Sequence, residues 1–80
     1  MPYQPSTFGA IPFVAAMDYD VNNNPIYIGL AVQGSSKAEA AWQIRKLIFD
    51  GSNNVTDIQW AAGSILYNQI WNNRVSLTYS

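Results

Sequence analysis

Residues 17–33, with the sequence MDYDVNNNPIYIGLAVQ, decide the fold class. Apolar and polar residues alternate from Met17 to Asn22, and a second alternating run follows the Asn-Asn-Asn-Pro sequence. Asn tolerates the positive φ angles of tight turns, and Pro ends strand pairing. The stretch therefore predicts a β-hairpin whose second strand has one wholly aliphatic face, formed by Ile26, Ile28, Leu30 and Val32.

A second hairpin is predicted farther along the chain. Residues 42–49 and 55–60 contain many β-forming residues, and the Asp-Gly-Ser-Asn-Asn sequence between them is a turn signal. A helix running through to residue 49 is the alternative, because Ser36 and Glu39 have the spacing of a capping box and Ala-rich sequence follows. Strand, turn and strand fit this region better than the helix.

The remaining C-terminal residues predict a closing strand. Apolar pairs spaced i, i+4 indicate a short helix or turn within residues 65–72, and residues 74–80 alternate again up to the last residue. The complete pattern predicts a mostly β fold. We expect a small antiparallel β-sandwich or open barrel of about five strands, with an extended N-terminal arm.

The predicted arm comprises residues 1–16, and the β-module comprises residues 17–80. Three prolines and Gly9 in the arm are incompatible with a continuous helix or a central strand. The arm is nevertheless strongly apolar, so it is expected to dock on a partner, or alternatively to lie over its own domain as an irregular cover. Its candidate interface residues are Tyr3, Phe8, Ile11, Phe13 and Val14.

The composition indicates a domain whose surface is covered by other chains. The chain has 80 residues, of which 49% are hydrophobic and only 11% are charged. A domain of this size has a thin core, and an ordinary soluble domain has about 25% charged residues. We therefore expect protein partners, including further copies of the chain. The alternative is that abundant Asn, Gln, Ser and Thr keep a free monomer soluble.

The same composition argues against several functions. There is no Cys or His, so disulfides and the usual zinc, haem and iron–sulfur sites are excluded, and no nucleophile–base set for catalysis can be assembled. The net charge of −1 argues against nucleic acid as a partner. No apolar run is long enough to span a membrane, and the N-terminus lacks the basic region of a signal peptide. We predict that the chain is not an enzyme and has no cofactor.

Two local patterns suggest ligands. Asp18, Asp20, Asn22 and Asn24 have the oxygen spacing of the first half of a calcium loop, but the Gly and Glu that such a loop needs later are replaced by Asn23 and Gly29. A solvated strand face running into a turn is the simpler interpretation, so no metal site is predicted. Stacking of sugars on aromatic rings is a second possibility, with a platform built from Trp42, Trp60 and Trp71 together with Tyr27 and Tyr67. Core or interface packing of these rings is the favoured alternative, with Trp71 and Tyr79 as further candidate interface residues.

Five segments together resemble a group of small virion-associated structural proteins of tailed bacteriophages. The resemblance covers about residues 19–80, and the segments occur in the same order; they are residues 24–29, 42–47, 50–56, 60–63 and 70–80. In that group an acidic residue usually lies between the Trp and the Arg near the end, where this chain has Asn72 and Asn73. No catalytic motif belongs to the group.

The resemblance implies a virion protein whose partners are other virion proteins. Our first expectation is a capsid decoration or cement protein, with the arm lying across neighbouring subunits of the major capsid protein and with several copies assembled in the particle. A structural protein of the neck, tail or tail fibre is the alternative. A carbohydrate-binding module for host recognition is a further one, and a small protein that binds one host enzyme is the weakest.

Overall fold

The computed structural model describes residues 12–80, which form one open antiparallel sheet followed by a short helix. In this part of the chain the strand order is β1-β2-β3-β4, and β5 pairs with the first part of β3. The prediction of a mostly β fold with about five antiparallel strands is confirmed, and the strands lie in a single open sheet. The elements are β1 (Phe13–Tyr19), β2 (Pro25–Val32), β3 (Ala40–Phe49), β4 (Val55–Trp60), β5 (Gln69–Ile70) and a 3-10 helix (Trp71–Ser76).

The two hairpins have turns of the same construction. In the first, the Asp20 carboxylate accepts backbone N–H bonds from residues 22 and 24, and in the second Asp50 accepts them from residues 52 and 54. Asn23 and Asn53 both have a φ of 64°, which Asn adopts more readily than most residues. The Asn24 side chain bonds to that of Asn53 at 2.9 Å, so the two turns also contact each other. Both predicted hairpins are confirmed, including the strand over residues 42–49.

The helix considered for residues 36–49 is not formed. The N–H of Ser36 does donate to the Glu39 carboxylate, and the N–H of Glu39 bonds to the Ser36 carbonyl, as in the first turn of a helix. The chain then enters β3 directly at Ala40. A buried indole explains the change, because Trp42 donates its Nε1–H to the Ser36 carbonyl at 2.9 Å and is 1% exposed.

One face of the sheet contains the core. Small residues of β1 and β2 lie beside one another there, since Ala16 pairs with Gly29. The indoles of Trp42 and Trp71 lie over this floor, with ring centroids 5.9 Å apart. We call this side the closed face, and its buried residues are Ala16, Tyr27, Ala31, Trp42, Ile44, Ala61 and Trp71.

The predicted closing strand over residues 74–80 is wrong over residues 74–76, which belong to the 3-10 helix. The last residues do pair with the sheet, through the bridge between Ala61 and Tyr79 and through backbone hydrogen bonds of Ser80 with Trp60 in both directions. Contacts of Arg74 explain why the alternating apolar and polar residues do not begin a strand at this position. Its Nε donates to Asp18 on β1 at 2.9 Å, and its carbonyl accepts the Tyr79 hydroxyl at 2.8 Å. These contacts fold the segment across the closed face instead of extending it.

The boundary predicted between an arm and a module also needs correction. Residues 13–16 were assigned to the arm, but they lie in β1 and pair with residues 29–32 of β2. Pro12 is compatible with this arrangement because it precedes the strand. The sheet therefore begins at Phe13, and residues 1–11 of the predicted arm lie outside the described part of the chain.

Candidate interaction surface

The second face of the sheet is apolar and has no covering layer of secondary structure within residues 12–80. Paired residues share a face, and the pairs here include Phe13 with Val32, Met17 with Ile28 and Leu47 with Ile58. About half of the surface of Phe13, Met17 and Ile58 is exposed. We call this surface the open face; its strand residues are Phe13, Ala15, Met17, Tyr19, Ile28, Leu30, Val32, Gln43, Arg45, Leu47, Ile58 and Trp60.

A loop between β4 and β5 extends the open face at one end. Tyr67 stacks on Phe13, with ring centroids 5.7 Å apart and an interplanar angle of 19°. The amide of Gln43, which is only 8% exposed, donates to the Ile65 carbonyl at 2.8 Å and so fixes the loop to the sheet. Ile65 and Leu66 are more than half exposed. The loop thus adds exposed apolar side chains at this end without covering the remainder of the sheet.

Arg45 is the one charged side chain among the strand residues of the open face. Its guanidinium lies 4.8 Å from the centre of the Trp60 ring, and one Nη donates to the Gln43 amide oxygen at 3.0 Å. Its Nε is buried and has no hydrogen-bond partner within the described residues. An unpaired buried N–H is unfavourable, so this nitrogen is a cost to the fold.

The structure exposes the face of β2 that its sequence marks as most hydrophobic. Ile28, Leu30 and Val32 lie on the open face, whereas Tyr27 and Ala31 are buried on the closed face. Steric fit explains this choice. The two large indoles need a floor without side chains beneath them, and β2 provides it only at Gly29 and Ala31.

The candidate interface residues of the arm have different positions. Phe13 lies on the open face with 51% of its surface exposed. Val14 points to the closed face, where it is half-buried against the core. Tyr3, Phe8 and Ile11 lie outside the described residues.

The two C-terminal candidates belong to the closed face. Trp71 is 3% exposed, and the guanidinium of Arg74 lies 4.7 Å from its ring centre. Tyr79 is half-buried beside Tyr27, with ring centroids 5.6 Å apart. The pKa of Tyr79 is raised to about 12, mainly by burial and also by the nearby Tyr27, against the opposing effect of Arg74. Both rings hold the end of the chain on the sheet, so little of Trp71 is left for a partner to contact.

The geometry does not form the tryptophan platform considered for sugars. That platform requires at least two exposed coplanar indoles, but Trp42 and Trp71 are both buried and their planes are inclined by 40°. Trp60 is half-buried and is in contact with Arg45. These rings stabilise the fold instead of offering stacking surfaces.

Residues 12–80 contain no pocket and no cluster of potential metal ligands. The oxygen pattern compared with a calcium loop is used internally, because Asp18 pairs with Arg74 and Asp20 accepts hydrogen bonds within its own turn. In this part of the chain, no helix has the length and apolar character that crossing a bilayer requires. An extended surface is therefore the candidate site that the described residues offer.

Several residues of this surface were missed by sequence reasoning. Met17 and Ile58 alternate correctly for a strand, but alternation does not say which face is covered. Tyr67 lies in a segment predicted as a helix or turn. The signal that could have located the surface is the small residue Gly29 opposite Ala16, which marks the face that must accommodate the indoles.

No family model, curated protein or solved structure matches the chain.

Proposed function

We propose that this chain is a structural subunit of a tailed-phage particle, and specifically a decoration or cement protein that attaches to the major capsid protein through its open face. The observation that supports this role is the open face itself. It is a continuous apolar surface on a chain whose other sheet face is already closed. Exposed apolar patches of this kind mark interaction sites in soluble proteins.

The charge distribution supports a protein partner. Arg45 is the one charge among the strand residues of the open face. A suitable partner surface is apolar and has one carboxylate or carbonyl oxygen opposite this guanidinium. Residues 12–80 contain no pocket for a small substrate, and the sequence resemblance to virion-associated proteins provides the class of assembly.

Incorporation into particles tests this function. A phage genome without this gene is supplied with the native chain, Ile58→Lys or Val75→Lys, and the purified particles are analysed by mass spectrometry. Ile58 is 50% exposed on the open face, whereas Val75 is 73% exposed on the 3-10 helix, so the two variants add the same charge at different exposed sites. Circular dichroism verifies that both variants fold.

We expect the native chain and Val75→Lys in the particles at equal levels, and Ile58→Lys reduced at least tenfold, because burying an unpaired ammonium in an interface is strongly unfavourable. Equal incorporation of the two variants contradicts docking through the open face. Absence of the native chain from the particles contradicts the virion role itself.

A further inference from the structure

Within residues 12–80, the outer edge of the first strand is unpaired. In the described residues, β1 lies at the end of the strand order, and no other strand pairs with its outer side. Natural edge strands are usually protected by charged side chains, especially Lys, by Pro, by a bulge or by a cover. Residues 13–19 contain no Lys or Pro, and their one charged side chain, Asp18, is paired with Arg74. The irregularity opposite Asp18 and Tyr19 adds its extra residue, Ile26, to β2. β1 itself is therefore regular and can pair along its whole length.

The hydrogen bonds to β2 establish which peptide groups point outward. The Pro12 carbonyl accepts the N–H of Gln33 at 3.0 Å, so this pair is of the hydrogen-bonded type. Alternation then directs the peptide groups of even-numbered residues of β1 toward β2. The outward N–H and C=O groups belong to Phe13, Ala15, Met17 and Tyr19.

We infer that two copies of this chain pair through β1, in antiparallel orientation, with the two-fold axis beside Ala16. In this register Ala15 lies opposite Met17 of the second copy, and Phe13 lies opposite Tyr19. With the two-fold axis at Ala15, the outward peptide groups of Tyr19 have no partner among the four outward residues. With the axis at Met17, those of Phe13 have none. The register at Ala16 thus pairs every outward peptide group of the strand with another one.

The side chains are self-complementary in the same register. All four outward residues have their side chains on the open face, where a small Ala15 meets a large Met17 and two aromatic rings meet at each end. Aromatic pairs across neighbouring strands stabilise sheets. On the closed face Asp18 is paired with Arg74 of its own chain, so pairing brings no uncompensated carboxylate to the new junction.

Such pairing joins two four-stranded ladders into one continuous sheet with one continuous open face. A second copy is favoured over a foreign strand because the sequence of β1 complements itself in both backbone and side chains. This inference goes beyond the proposed function, since it specifies how copies join and is measured in solution without particles. It stands or fails independently of the capsid role.

Disulfide trapping tests the register directly, because the chain has no Cys of its own. Ala15→Cys and Met17→Cys are purified separately, mixed, oxidised and analysed on a non-reducing gel. Opposed residues in a hydrogen-bonded pair have Cα atoms about 5.5 Å apart, which a disulfide can bridge. Identical positions lie diagonally at about 7–8 Å, which is unfavourable for a bridge.

We expect a cross-linked dimer in the mixture at least tenfold above the level in either variant alone. If the Ala15→Cys protein alone forms a dimer at or above the level in the mixture, the two-fold axis lies elsewhere and the proposed register is overturned. No cross-link in any sample overturns the pairing. The same result from Met17→Cys alone has the same meaning as from Ala15→Cys alone.

Sedimentation analysis of the full chain provides a second, independent measurement. The native chain and Val75→Lys are expected at twice 8.9 kDa. Ala15→Pro is expected at 8.9 kDa with an unchanged circular dichroism spectrum, because Pro here removes an outward N–H and no hydrogen bond to β2. A native chain that is monomeric at every concentration contradicts the inference. If deleting residues 2–11 then converts the monomer to a dimer, those residues cover the β1 edge of their own chain, which also contradicts the inference for the native chain. If Ala15→Pro fails to fold, the cross-linking result decides.

Discussion

Gly29 lies directly beneath the indole of Trp71. A Cβ atom at Gly29 would lie 2.5 Å from Cε3 of Trp71 and 3.0 Å from Cε3 of Trp42. Real Cβ atoms do not approach carbon atoms so closely, so the absence of a side chain at this position permits the two indoles to lie on the sheet. The relationship links the centre of β2 to the 3-10 helix near the end of the chain.

Gly29→Ala is therefore expected to destabilise the fold by about 1–3 kcal/mol, the usual range for overpacking a well-packed core. Gly51→Ala is the matched control, because a Cβ at Gly51 meets nothing within 4 Å. Urea denaturation followed by tryptophan fluorescence measures both variants. Equal stability of the two contradicts the packing described for the closed face.

The ion pair between Asp18 and Arg74 is expected to stabilise the fold modestly. Their side chains are 31% and 25% exposed, respectively, so solvent screens the pair and a coupling of about 0.5–1 kcal/mol is appropriate. A double-mutant cycle with Asp18→Asn and Arg74→Gln isolates this coupling from the contact of Arg74 with Trp71. The coupling should decrease in 1 M salt. A coupling that is zero at low salt would show that the pair does not hold the C-terminal segment.

The hydroxyl of Tyr79 is expected to titrate at a higher pH than an unfolded tyrosine does. Its pKa is raised to about 12 in the folded chain, whereas an unfolded Tyr has a pKa of about 10. The folded state favours the neutral phenol, so its stabilising contribution is complete below about pH 10 and is lost as the pH rises toward about 12. Absorbance at 295 nm follows the titration, and Tyr79→Phe should remove the late step. A wild-type curve without a late step contradicts the burial of this hydroxyl.

The turn at Asp50 is expected to contribute to acid sensitivity. Backbone N–H groups of Asn54 and Ser52 lower the pKa of Asp50 below its ordinary value of 3.8. The folded state favours the carboxylate, so this contribution is present above about pH 4 and is lost as the pH falls through the lowered pKa. Asp50→Asn should reduce the loss of stability between pH 5 and pH 2, measured as the shift in the urea midpoint. An unchanged pH dependence would contradict the role of these bonds.

Local signals predict the hairpins well, and the reason is visible in the turns. Asp20 and Asp50 each satisfy two backbone N–H groups, and Asn23 and Asn53 accept positive φ angles, so the turn residues determine the geometry without help from distant contacts. The C-terminal segment differs because its conformation depends on Asp18, which is 56 residues away from Arg74. Alternation therefore predicts a strand over all of residues 74–80, whereas residues 74–76 belong to a 3-10 helix and only the last residues pair with the sheet.

The candidate surface could be predicted only in part. The sequence predicts an aliphatic face on β2 and names Phe13 as a candidate interface residue. Phe13 and three of the four aliphatic residues lie on the open face, whereas Ile26 packs against the core. It could not establish which face is covered, because that depends on how Trp42 and Trp71 fit over Gly29. The low content of charged residues, at 11%, predicts surfaces suited to partners, but it contains no information about their position.

The copy number of this chain in purified phage particles tests the central claim most directly. Quantitative mass spectrometry against a labelled standard is expected to find on the order of hundreds of copies per particle, as a symmetric shell requires of a capsid decoration protein. About 6–12 copies would instead place the chain in the neck or tail, where ring symmetry determines the number. Absence of the chain from purified particles would contradict its role as a virion subunit.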